Sequence, residues 1–231
     1  MSLTLDLSIS TIRGSIKYFE LIAAITGSIY FYKYKNTHLK YLLFLLWYIV
    51  FTEFFGDYIK EKEILIVKDV NGVIYNLWIV NLLYIIFFPV IYYIYFKVIE
   101  NSKFKLWIKI FMVSYIFISI INWIFIQSFI LEWSELPYIA GSLFVIITVI
   151  FYFIELLTSD KIVIFHRTLL FWISVGLLLF HAGTIPFSIK INGYALIHDN
   201  DIGNNIFLIM YILAVVMYSI FSFGFIWSKK E

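Results

Sequence analysis

Seven stretches of roughly 20 predominantly apolar residues constrain this chain more than any other feature, near residues 14–32, 41–59, 73–96, 106–127, 137–157, 168–189 and 205–227. A helix rises about 1.5 Å per residue and the hydrocarbon layer is about 30 Å thick, so each stretch has the length that spans a bilayer. Charges or turn residues separate them, as at 33–40, 60–72, 97–105 and 190–205. Runs such as 42–51 and 143–153 are apolar on every face, whereas strands of a membrane barrel would alternate apolar and polar residues. Composition points the same way: 63% of the residues are apolar and 14% charged, against about 25% charged in a soluble domain. A soluble globule would have to expose that apolar surplus, so it is expected to face lipid. The expected fold is all-α, a single polytopic seven-transmembrane-helix bundle covering residues 1–231.

An odd number of spans puts the termini on opposite sides, and the basic residues set the orientation. One set of helix ends carries eleven of them, namely Lys33, Lys35, Lys40, Lys97, Lys103, Lys105, Lys109, Lys161, Arg167, Lys229 and Lys230. The opposite set carries six: Arg13, Lys17, Lys60, Lys62, Lys68 and Lys190. The N-terminus is therefore expected outside and the C-terminus in the cytoplasm. Abundant Ile, Phe, Tyr, Lys and Asn suit an AT-rich bacterial genome and hence a bacterial cytoplasmic membrane. The first thirteen residues have neither a basic leader nor a cleavage motif before an apolar core, so no removable leader is expected.

The chain has no cysteine, which excludes disulfides, thiolate nucleophiles and Cys-ligated metals. A net charge of +2, spread over short loops, argues against nucleic acid as a partner. The loops leave no room for an extramembrane catalytic domain, and no Gly-rich phosphate loop occurs. Of four histidines only His181 lies within a span, so no metal and no cofactor is expected. A retinal chromophore would need a lysine in the last span, which has none.

Ionisable residues near the bilayer centre cost about 2.5–3.5 kcal/mol on insertion scales and are usually kept for use. Glu20, Glu53, Asp57, Asn76, Asn81, Asn122 and His181 all fall in the outer halves of their spans. Glu53 and Asp57 are four residues apart, on one helical face, where they can share a cation, pair with a basic partner or hold one proton between them. Glu20 follows Lys17 by three residues and is expected to pair with it. His181 precedes Gly183 and Pro186, so the sixth span is expected to bend near 182–186, beside a titratable imidazole. Lys109 and Glu155 lie near the inner boundary and read as anchors reaching water. The asparagines serve either as interhelical glue or as ligand contacts.

Three functions fit these residues. The favoured one is a signal-sensing or regulatory bundle, whose outer-half polar pocket acts through a protein partner at the cytoplasmic loops. The others are an intramembrane lipid hydrolase using Glu53, Asp57 and His181, and a small carrier or oligomeric pore. All three share the lipid bilayer as environment, and self-association is a further expected contact.

Overall fold

The computed structural model describes residues 2–65, 67–68, 74–75, 77–159, 165–189 and 200–230, with side chains described over 14–65, 77–159, 165–189 and 207–230. Asn76, Lys190 and Lys161 lie outside the described residues, as do the side chains of Arg13 and Lys68.

Seven long helices follow one another: α1 (Ser2–Ile29), α2 (Lys40–Lys62), α3 (Leu77–Val98), α4 (Ser102–Phe125), α5 (Glu135–Leu157), α6 (Leu169–Ser188) and α7 (Asn200–Trp227). Among the described residues six of them, α2 to α7, are long and apolar enough to cross a membrane. The chain is thus a helical, multi-pass membrane protein. Large apolar side chains cover its outer surface, among them Phe44, Phe51, Ile124 and Phe125, which is 78% exposed. On a soluble protein such a surface would be an aggregation site; in a bilayer it is the lipid contact.

Helix limits follow local chemistry. α2 continues past its apolar run through Lys60 and Lys62, whose charges suit the negative end of a helix. It stops at Glu63, in the left-handed region at φ 50°, with its N–H turned back to Ile59 and Lys60 carbonyls. α3 begins four residues later than its hydropathy predicts, because Ile74 and Tyr75 pair antiparallel with Lys68 and Val67 in a two-residue ladder. α4 is capped twice. Asn101 accepts from the N–H groups of Lys103 (2.9 Å) and Phe104 (3.3 Å). The Glu155 carboxylate, from the end of α5, accepts from those of Glu100 (2.7 Å) and Asn101 (3.0 Å). Glu155 is therefore a tie between α5 and the positive end of α4, rather than an anchor extended into water. α6 remains helical through Pro186 and ends two residues later, at Ser188.

Six helices close a ring of packed neighbours: α1 on α2, α2 on α3, α3 on α5, α5 on α6, α6 on α7, and α7 back on α1. α4 stands outside the ring, against α3 and α5. Glycines permit the closest approaches. A Cβ on Gly183 of α6 would fall 2.6 Å from Leu213 Cδ1 of α7, and one on Gly141 of α5 would sit 2.8 Å from the Phe88 ring of α3. Small residues at such crossings let membrane helices gain dispersion contacts where no hydrophobic force separates them from lipid.

Loops gather at two ends. At the α3–α4 end Lys33 donates to the carbonyls of Phe225 (3.0 Å), Ile226 (2.8 Å) and Ser228 (2.7 Å), which closes the last turn of α7. Burial pulls the Lys33 ammonium below its ordinary pKa. The Lys229 N–H reaches the Arg167 carbonyl at the same end. At the α2–α3 end Trp78 donates to the Leu65 carbonyl and Lys17 meets Asp57.

Candidate functional site

A cavity of about 180 Å³ lies inside the ring, toward the α2–α3 end, and every ring helix contributes to its wall. α1 supplies Ile16 and Glu20, and α2 supplies Ile49 and Glu53. α3 gives Leu83, Tyr84 and Phe87, α5 gives Tyr138, and α6 gives Phe180 and His181. α7 completes the wall with Met210, Tyr211, Ala214, Met217 and Tyr218. No residue of α4 takes part, as its place outside the ring requires.

Three of the residues singled out in the sequence meet on this wall: Glu20, Glu53 and His181. Glu20 is only 4% exposed. Its expected pairing with Lys17 does not form, because Lys17 extends across to Asp57 of α2, with Nζ 2.7 Å from Oδ2. The Tyr218 hydroxyl is the hydrogen-bonding neighbour of Glu20, and Glu53 lies close enough to act on it electrostatically. Glu20 Oε2 has no hydrogen-bond partner. Glu53 also lines the cavity but is exposed, while among the described residues no lysine or arginine lines it. The Glu53/Asp57 pair is thus divided, one carboxylate on the cavity wall and the other on Lys17 outside it.

His181 is fully buried. Its Nδ1 lies 2.9 Å from Ser142 Oγ of α5, while Nε2 has no partner. The rings of Phe87, Phe88, Tyr138 and Phe180 surround it at centroid distances of 5.2–6.2 Å. The neighbouring Tyr138 hydroxyl meets Thr184 Oγ1 at 3.0 Å. α5 therefore fixes the imidazole through one nitrogen, and the other is left on an aromatic-lined wall. Ser142 is itself fully buried and does not line the cavity.

Two asparagines lie elsewhere. Asn81 donates to the carbonyls of Phe129 (2.8 Å) and Glu132 (2.9 Å) and accepts from the Ser134 N–H (3.1 Å), so it pins the α4–α5 loop. Asn122 of α4 is fully buried with neither side-chain atom hydrogen-bonded. It is far from the wall in topology, on the helix outside the ring. Tyr84, Tyr211 and Tyr218 had no distinguishing signal in a chain with 18 tyrosines. Ser142 offered only the hint of a small polar residue within an apolar span.

A second cavity, about 480 Å³, opens at the α3–α4 end between Val98, Glu100, Asn101, Tyr152, Glu155 and Thr168. Fully or nearly fully buried Ile91, Tyr92, Tyr95, Val149 and Ile173 fill the bundle between the two. Among the described residues no group of three or more His, Asp or Glu side chains could hold a metal ion. The chain matches no known protein family, no curated protein and no solved structure.

Proposed function

We propose that this chain is a sensing or regulatory protein of the bacterial cytoplasmic membrane. In this reading α1 is a seventh span, the N-terminus is outside and the C-terminus is cytoplasmic, so the Glu20 cavity opens toward the outer face. The observation that carries the reading is the wall itself: six helices each give a side chain to one small, mainly apolar cavity that holds Glu20, Glu53 and His181, and all six reach the opposite end of the bundle. A change in what the cavity holds therefore acts on the packing of every ring helix at once. The inner-end loops, which carry most of the basic residues, are the surface a protein partner would read.

The hydrolase alternative gains little support, since Asp57 is engaged by Lys17 and Ser142, the hydroxyl on His181, is off the wall. A small carrier has one observation in its favour, the second cavity at the far end. The two readings separate by experiment. Because the chain has no cysteine, spin labels can be placed at Lys35→Cys and Lys103→Cys, and their separation measured in nanodiscs with and without Glu20→Gln or His181→Ala. Sensing predicts that at least one cavity variant shifts the inner-end distance by about 1–2 Å or more. Identical distance distributions in both variants would refute it.

A further inference from the structure

Resting on the assignment of that cavity as the sensing site, we propose that its ligand is a small organic cation, a protonated amine on a compact apolar body. Size sets the first limit. A protein cavity of about 150 Å³ holds benzene, so about 180 Å³ admits one ring or a branched chain plus a short amine arm. The lining sets the second. Tyr84, Phe87, Tyr138 and Phe180 offer aromatic faces and Met210 and Met217 soft apolar surface, a wall suited to an organic body rather than a hydrated inorganic ion.

Charge sets the third. Glu20 is buried in the wall with Oε2 unpartnered, Glu53 acts on it from the same cavity, and among the described residues no lysine or arginine lines the space. Lys17, one turn from Glu20 on α1, is held at 2.7 Å by Asp57, although it is also within electrostatic reach of Glu53. A buried carboxyl group ionises only at high cost unless a counter-charge is near, and a bound ammonium would supply that charge together with hydrogen-bond donors for Glu20. Aromatic faces further favour a cation over a neutral ligand of equal size. His181 lines the α6 side of the same cavity with its Nε2 buried and unpartnered. The same ammonium chemistry occurs in a free amine and in an ethanolamine lipid headgroup.

The test is thermal unfolding of the full chain in phosphatidylcholine nanodiscs, titrated with benzylamine and 2-phenylethylamine and, for comparison, benzyl alcohol. A parallel arm uses nanodiscs containing phosphatidylethanolamine. The expected result is saturable stabilisation by an amine, at least tenfold weaker with benzyl alcohol and at least tenfold weakened by Glu20→Gln. Ala214→Leu, which fills the cavity without touching a charge, should abolish it, and Asn122→Leu on α4 should not. Should Glu20→Gln fail to fold, Ala214→Leu and Glu53→Gln decide the matter. Stabilisation confined to phosphatidylethanolamine and lost in Ala214→Leu identifies the headgroup as the source and supports the proposal. Equal binding of benzyl alcohol and benzylamine, or no response in either arm, overturns it. The inner-end distance measurement then still reports separately on whether the cavity is a sensing site.

Discussion

Asn81 and Asn122 are both buried asparagines in membrane helices, yet the same substitution should destabilise the chain at Asn81 and not at Asn122. Asn→Leu nearly preserves volume and removes the amide. At Asn81 it leaves two carbonyls and one N–H of the α4–α5 loop without their partners. At about 1 kcal/mol per bond, between the averages for membrane and soluble proteins, the loss is about 3 kcal/mol. At Asn122 no side-chain bond exists to lose, and the buried amide already carries a desolvation cost of about 1–3 kcal/mol. Replacing it with leucine should therefore stabilise the chain by about 1 kcal/mol or leave it unchanged. Its backbone carbonyl, which accepts from the Ile126 and Gln127 N–H groups, is untouched. Unfolding of each purified variant by SDS titration, against wild type, gives both values. Destabilisation of Asn122→Leu by more than about 1 kcal/mol, or no effect of Asn81→Leu, would refute this assignment of satisfied and unsatisfied groups.

Gly141→Ala should cost about 1–3 kcal/mol in the same assay, since the new methyl meets the buried Phe88 ring at 2.8 Å. Glu155→Ala should lose about 1–2 kcal/mol with the α4 cap, and Glu155→Gln, which keeps one acceptor, should lose less. Lys33→Met should destabilise by about 1–2 kcal/mol by leaving two α7 carbonyls and that of Ser228 just beyond it uncapped, measured as a lowered SDS midpoint. For topology, an impermeant thiol reagent on whole cells should label Lys62→Cys and leave Lys35→Cys and Lys103→Cys untouched; the reverse pattern would invert the orientation.

Spacing and hydropathy made the helices legible because the bilayer fixes their length, and the limits of α4 to α6 fall within about four residues of those expected. The ends shifted where other forces took over: lysines prolonged α2, and the ladder at Ile74 and Tyr75 delayed α3. Site residues were legible only as polar atoms at unusual depth. Depth along a helix does not give rotation about it, so Glu20, Glu53 and His181 could not be told from Asn122, which sits on the helix outside the ring. Pairing was misread for the same reason. Lys17 is three residues from Glu20 in sequence, but Asp57, forty residues away, lies nearer to its ammonium. Glu155 looked like an anchor because a helix end that needs an anion leaves no mark on the helix that provides it.

Whether an acid-lined cavity opens inside the ring can be measured with a single cysteine at Ala214, which lines it, and one at Ala24, which is buried in α1 and does not. Each variant in nanodiscs is treated with a small cationic methanethiosulfonate reagent and with its anionic sulfonate counterpart. Glu20 and Glu53 should draw the cation, so Ala214→Cys is expected to react with it at least tenfold faster than with the anion, and Ala24→Cys with neither. Reaction at Ala214→Cys no faster than at Ala24→Cys, or equal rates for the two reagents, would contradict the cavity and its charge.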